Sequence, residues 1–274
     1  MSEPDQRAPL PPTIDTSVAH PARRYDYWLG GTVNFAADRA SGDAIAKVFP
    51  HIRTAIIENR RFLRRAVRHL TGELGVRQFL DIGTGIPSAD NTHEVAQAIA
   101  PETRVVYVDN DPIVLHHARG LLTGMADGAT TYLDADVRYP EKILNHPDLV
   151  RVLDLTQPVA LMLIAVLHFV EDTDDPYGTV ARLIDALPSG SYLAMTHATA
   201  DFMPPAAVDG VLDDARTSAP FRFRTRDEFA RFLDGLELVE PGIVSYSEWR
   251  AENEEHPRPS PMETAGYGAI ARIR

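Results

Sequence analysis

Three aspartates end three strand-like runs. Phe79-Leu80-Asp81-Ile82-Gly83-Thr84-Gly85 places an acid two residues ahead of two glycines. Val105-Val106-Tyr107-Val108-Asp109 closes a second apolar run on an acid, followed by Asn110. Leu133-Asp134-Ala135-Asp136-Val137 follows a third run. At the carboxyl end of a parallel strand, glycines let a ligand approach the backbone, and helix-entry N–H groups favour its polar groups. Asp109 then stands where a carboxylate can accept both hydroxyls of a ribose, and Asp136, with Val137, where an adenine amino group can donate. One such acid is commonly a cap or turn residue. Three at successive strand ends are not explained that way.

The first loop departs from a dinucleotide site. Such a loop takes a third glycine where pyrophosphate and helix pack together, and this chain has Pro87 nearby instead. A carboxylate at Asp81 would repel a pyrophosphate, but it suits a cation. S-adenosylmethionine carries an ammonium and a sulfonium and no phosphate, so Asp81, Gly83, Thr84 and Gly85 form a loop for its methionyl part. A nicotinamide-dependent oxidoreductase and a non-catalytic S-adenosylmethionine-binding regulator are the two alternatives.

The composition bounds the possibilities. With 274 residues, 44% of them hydrophobic, the chain can bury one sizeable core. A formal net charge of -12 speaks against a phosphate-tracking nucleic-acid binder. The basic run Arg60-Arg61-Phe62-Leu63-Arg64-Arg65 is expected to be a solvated helix face. Cysteine is absent, which fits a reducing compartment, and the longest apolar run, Val159 to Leu167, is too short to span a bilayer. The expectation is a cytoplasmic protein with no nucleic-acid or membrane partner, its oligomeric state left open.

The elements that must hold the acids follow from periodicity. Residues 1–13 read as a loose Pro-rich arm. Residues 14–75 read as an N-terminal helical cap: Ser17–Leu29 capped by Thr16 or Ser17, Ala37–Val48, and His51–Leu74 with apolar residues at helical spacing. From residue 76 to 274, runs at Gln78–Ile82, Val105–Val108, Thr130–Leu133, Val159–Ala165 and Ser191–Met195 alternate with helical patterns, among them Glu94–Ala100, Ile113–Leu122 and Gly178–Leu187. That alternation means βαβ units and a parallel sheet. Thr225-x-x-Glu228 opens a helix by a capping box, and Leu238–Tyr246 and Tyr267–Arg274 are the last two strands. The expected fold is an α/β, Rossmann-like, mainly parallel seven-stranded sheet with helices on both faces and the cap above it. Asn91-x-x-Glu94 reads as a late capping box, leaving Ile86–Asp90 as a widened rim that either closes on the methionine end of the ligand or fills a gap.

The segments Asp81–Gly85, Val106–Pro112, Asp134–Val137 and Ile164–Phe169 together resemble the class I S-adenosylmethionine-dependent methyltransferases. More narrowly, Asp15–Arg23, Tyr25–Gly31, Asn34–Arg39, Asn59–Val67 and Asp90–Ala96 are similar to a bacterial family described as S-adenosyl methyltransferases. That resemblance implies the cofactor and not the acceptor.

Methyl transfer from a sulfonium is an in-line displacement needing alignment, plus a base if the acceptor must lose a proton. The tetrad Asn-Pro-Pro-Tyr of nucleic-acid amino methyltransferases is absent after the fourth run, which reads Ile164-Ala165-Val166-Leu167-His168. A small-molecule acceptor is therefore expected. Ala165 borders the pocket, and His168 and His197, each after a strand, are candidate catalytic groups together with Tyr25, with a plain strand-end histidine as the alternative for the two histidines. No metal-ligand spacing appears. Tyr25 and Asp26, before Gly30-Gly31, belong either to a lid over the sulfonium or to a helix packed on the sheet. The insert Asp201–Phe223 and the loop Ser247–Thr264 are expected to border the acceptor.

Overall fold

The computed structural model describes residues 14–122, 130–216 and 218–274; the arm expected over residues 1–13 lies outside them. Strands β1 (Gln78–Ile82), β2 (Arg104–Asp109), β3 (Thr130–Asp134), β4 (Ala160–Ile164) and β5 (Tyr192–Ala198) are mutually parallel where they pair. The central ones are apolar almost throughout because both faces are covered, as β1 and β4 show with every residue buried. Strands β6 (Glu237–Leu238) and β7 (Val244–Ser245) share the outer edge of β8 (Gly266–Arg272), which runs antiparallel to β5. The order is β3-β2-β1-β4-β5-β8-β6, with β7 also on β8.

This is the expected Rossmann-like α/β sheet, with one difference: it has eight strands and not seven. The run Leu238–Tyr246 is broken at Pro241-Gly242. Pro241 has no N–H to donate and Gly242 turns at φ 80, so the edge strand is made in two pieces. The strand order reverses between β1 and β4, and ligands of open α/β sheets bind at the carboxyl ends of strands at such a switch point.

Eleven helices are described: α1 (Pro21–Trp28), α2 (Ala36–Val48), α3 (Ile52–Gly72), α4 (Thr92–Gln97), α5 (Pro112–Leu122), α6 (Pro140–Leu144), α7 (Pro147–Val152), α8 (Pro176–Asp185), α9 (Pro205–Ala215), α10 (Arg226–Ala230) and α11 (Pro261–Thr264). Seven of these begin on proline, where a missing N–H costs nothing and a fixed φ fits the first turn. Helix α1 is shorter than expected and is capped by His20, not Thr16 or Ser17. The capping boxes at Asn91/Glu94 and Thr225/Glu228 are both formed.

Phe62, Leu63, Ala66, Val67 and Leu70 give α3 an apolar stripe that packs with α4 and Trp249 on one sheet face. Residues of α6, α7, α8 and α10 cover the other face. A third cluster lies above the strand ends, where Trp28, Ile45, Phe49 and Ala55 meet Val211 of α9 and Ala265.

One amide ties these layers together. Asn59 of α3 is buried; its Nδ2 donates to the Tyr25 hydroxyl (2.9 Å), and its Oδ1 accepts from Thr196 Oγ1 (2.7 Å). Thr196 Oγ1 in turn accepts from the backbone N–H of Ala165 (3.0 Å), while Tyr25 donates to the carbonyl of Ile56 (3.3 Å). The relay joins α1, α3, β5 and the turn after β4, and every polar group in it has a partner. Asn59→Ala is expected to cost about 2–4 kcal/mol, because two buried hydroxyls lose partners at once. Urea unfolding checks this; a loss under about 1 kcal/mol would show that the relay does not hold these layers.

Candidate active site

A cavity of about 380 Å3 lies between the carboxyl ends of the strands and the cap helices. Asp81, Gly83, Thr84, Gly85, Asp109, Asn110, Asp136, Val137, Ala165, His168, His197 and Tyr25 all line it. Asp26 does not. It borders a smaller hollow instead, and its Oδ2 accepts from the Val33 N–H and from Asn34 Nδ2, both at 2.8 Å. Asp26 therefore organises the turn through Gly30-Gly31, and the paired role expected for Tyr25 and Asp26 separates: only Tyr25 reaches the main cavity.

The floor is built from β1 and β2. Gly83 lies at φ 78 and donates its N–H to Val108 O (2.8 Å), so the loop folds back over β2. A Cβ on Gly83 would stand 2.4 Å from Val166 Cγ2, so both its backbone and its space demand glycine. Gly85, at φ 66, donates its N–H to Asp109 Oδ2 (2.8 Å). Asp109 Oδ1 accepts from the Asp111 N–H (2.9 Å), and the whole carboxylate is buried. Burial raises the Asp109 pKa, against the lowering by these two backbone bonds.

Asp81 is 4% exposed and accepts one hydrogen bond from Thr92 Oγ1 at 2.6 Å. Burial pushes its pKa up to about 6, only partly offset by Thr92 and the nearby Arg60 guanidinium. Thr92 is the first residue of α4, so the late helix start after Asn91 is what brings this hydroxyl to Asp81. The rim Ile86–Asp90 is held from above, since Arg60 donates to Ala89 O (2.8 Å) and Asp90 O (3.1 Å).

Asp136 is more committed than its position suggested. Arg138 grips it through Nε and Nη2 (3.0 and 2.5 Å), and Asn110 Nδ2 donates at 3.0 Å. Half-burial raises its pKa, but these bonds together leave it lowered. An adenine amino group would have to share these oxygens.

The turn after β4 forms the far wall. Ala165 sits in the left-handed region at φ 55, a strain of roughly 1–2 kcal/mol held by its bond to Thr196. His197 is not free to act as a base. Its Nδ1 donates to Ala198 O and its Nε2 accepts from Arg224 Nη1, both at 2.8 Å, and burial pushes its pKa down to about 3. Arg224, fully buried, also donates to Leu167 O, Val170 O and Asp172, so it pins the turn that carries His168.

Sequence reading missed Arg224, and it misjudged the basic run. Arg65 is buried against Trp249 O and Tyr246 O, and Arg60 reaches the cavity rim. Their signal was the run's place on the apolar-striped helix next to the cap. Residues of the insert Asp201–Phe223 do border the cavity, and the insert contains a helix, α9. The loop Ser247–Thr264 mostly does not. Arg258 and Glu254 tie it to Glu58, Arg64 and Arg65 of α3, and only its end at Thr264 touches the cavity.

This sheet, with acids at three successive strand ends under a helical cap, has the architecture of the class I S-adenosylmethionine-dependent methyltransferases. The chain belongs to the S-adenosyl methyltransferase family, whose model matches residues 7–274; its cofactor is S-adenosylmethionine and its chemistry methyl transfer. It is similar to a DUF574 family protein of Streptomyces avermitilis MA-4680 at 48% identity, over 95% of this chain and 99% of that one, with a TM-score of 0.88. It is also similar, at 44% identity, to a protein of Thermobifida fusca YX whose own assignment as a methyltransferase is provisional, over 96% and 98% of the two chains with a TM-score of 0.89. An S-adenosylmethionine-dependent methyltransferase of Anabaena variabilis ATCC 29413 shares the fold alone, at 13% identity over 77% of this chain and 84% of that one, with a TM-score of 0.50. No curated protein matches.

Gly83→Ala tests how tightly the loop is built. It is expected to destabilise the fold by about 1–3 kcal/mol, through the left-handed backbone and the overlap with Val166. Adding Val166→Ala should recover the overlap part only, leaving about 1 kcal/mol. Thermal unfolding of both variants checks it, and full recovery in the double variant would show that the backbone conformation carries no cost.

Proposed function

We propose that the protein transfers the methyl group of S-adenosylmethionine to a small-molecule acceptor held under the cap. The observation that carries this reading is the cavity's continuity: it runs from the acids at the strand ends to an apolar wall made by α1, α2, α3 and α9. A space of about 380 Å3 between a sheet and a cap admits a compact molecule, within the usual size of small-ligand sites. Among the described residues no helix is long and apolar enough to cross a membrane.

The residues present fit an adenosyl sulfonium. A Cβ on Gly85 would meet nothing within 4 Å, which leaves open space above the loop. Asp81 is a buried carboxylate with a single direct hydrogen bond, an expensive arrangement unless a cation completes it. In this reading Asp81, with Gly83, Thr84 and Gly85, takes the ammonium end, and Arg60 at the rim takes the carboxylate of the same methionyl part. Asp109 takes the ribose hydroxyls, and Asn110, Asp136 and Val137 border the adenine. Bound there, S-adenosylmethionine supplies an electrophilic methyl on sulfur. The protein's part is to orient the acceptor in line, exclude water and keep the Ala165–His168 turn in place. The nicotinamide reading fares worse, because a pyrophosphate over the glycine loop would lie beside Asp81.

Protonation of Asp81 tests this assignment. A carboxylate that meets a cation titrates lower in the complex than alone, so affinity is full above its free value near 6 and falls as pH drops through it. Calorimetry with S-adenosylhomocysteine, which keeps the ammonium, is expected to give a flat affinity above pH about 7 and a fall of up to roughly tenfold per pH unit below 6. Asp81→Asn should bind weakly and lose that slope. Unchanged affinity and slope in a folded Asp81→Asn protein would refute the ammonium contact.

A further inference from the structure

Asp81 can meet an ammonium only with the oxygen that the protein leaves it. Its Oδ2 is taken by the Thr92 hydroxyl at 2.6 Å, and both side chains are buried. Thr92 is 1% exposed and lies outside the cavity lining, whereas Asp81 belongs to that lining. The threonine therefore stands behind the carboxylate and does not itself touch a ligand in the cavity.

Thr92 is held there from two sides. It is the first residue of α4, whose start is fixed by the reciprocal bonds of the Asn91/Glu94 capping box. The next backbone N–H, that of His93, has no partner within so short a helix turn and donates to the Tyr107 hydroxyl at 2.8 Å. Asp81 and Tyr107 are register partners on β1 and β2, so their side chains stand on one sheet face. The first turn of α4 is thus pinned across both strands, through Thr92 on Asp81 and through His93 on Tyr107.

We propose that Thr92 is a positioning residue for the cofactor's ammonium: by holding Asp81 Oδ2 it fixes the carboxylate and leaves Oδ1 for the ligand. This rests on the assignment of Asp81 to the ammonium and specifies how that contact is built. A hydrogen bond given to a carboxylate favours its charged form, so Thr92 works against the burial that raises the Asp81 pKa to about 6. The other groups facing Asp81 are the Arg60 guanidinium from α3, the Asp109 carboxylate and Tyr107 phenol from β2, and the Tyr132 phenol from β3. On the β4 side its register partner is Met162, which carries no charge. Burial raises the pKa of both phenols, so they stay neutral where Asp81 titrates.

The test is the pH dependence of S-adenosylhomocysteine affinity, measured by calorimetry on the full chain and on Thr92→Val, which keeps the shape and removes the donor. Without that donor the free carboxylate takes up its proton at higher pH, so the fall in affinity should begin about one pH unit higher. That shift reads as an affinity about fivefold below wild type at pH 6, closing to within about twofold at pH 8. Thr92→Ser, which keeps the hydroxyl, should restore the wild-type midpoint, and in an Asp81→Asn background Thr92→Val should leave the pH profile unchanged. A Thr92→Val protein with the wild-type midpoint, or one weakened equally at every pH, overturns the proposal, because a threonine that only stabilises the fold gives one or the other. Thr92→Ala removes the same oxygen with less bulk and reads the same midpoint should the valine variant not fold. If wild-type affinity itself does not fall below pH 6, the ammonium assignment of Asp81 fails and this one with it. If the wild type falls as expected and Thr92→Val follows the same curve, only the role of Thr92 is lost.

Discussion

The buried amide of Asn59 is the interaction on which the site's construction depends. A cap laid over strand ends must bury polar groups from both partners, and each unpaired one would cost more than an exposed contact returns. Here one side chain answers for three of them. It receives the Thr196 hydroxyl, gives to the Tyr25 hydroxyl, and through Thr196 steadies the N–H of Ala165. Ala165 is the left-handed residue at which the chain leaves β4 and turns into the wall that carries Val166 and His168. Val166 fills the space that Gly83 leaves open, so the same relay that seats the cap also sets the ceiling of the glycine loop. Arg224 performs the complementary task on the other side of that turn, gripping three consecutive features of the segment 167–172 and immobilising His197.

The acidity of the chain is distributed with a purpose that a net charge of -12 conceals. At the strand ends Asp81 and Asp109 are buried and have pKa values raised by that burial, while Asp136 is paired with Arg138. Under the cap, the one lining acid is neutralised by Arg24, and burial holds the imidazoles of His168 and His197 well below the usual histidine range.

Much of this was legible in the residues, because strand-end acids and capping boxes are local signals. Asp81, Asp109 and Asp136 do line one cavity, and Asn91/Glu94 does start its helix late. What escaped was set by long-range packing. Helices α5 and α8 begin at Pro112 and Pro176, one and two residues before the expected patterns Ile113–Leu122 and Gly178–Leu187, because proline's fixed φ suits a helix's first position. Arg65 looked solvated because its run is basic, yet the carbonyls of Tyr246 and Trp249, far along the chain, bury it. Asp26 and His197 have the chemistry of site residues and are consumed by the turn beside one and the arginine beside the other. No spacing rule announces that kind of pairing.

The most direct measurement is a crystal structure of the protein with S-adenosylhomocysteine. The expected result is density across the carboxyl ends of β1 to β3, with both ribose hydroxyls on Asp109, the amino-acid end between Asp81 and Arg60, and the sulfur facing the turn at Ala165–His168. Density elsewhere in the cavity, or a ribose out of reach of Asp109, would contradict the placement of the cofactor over the strand-end acids.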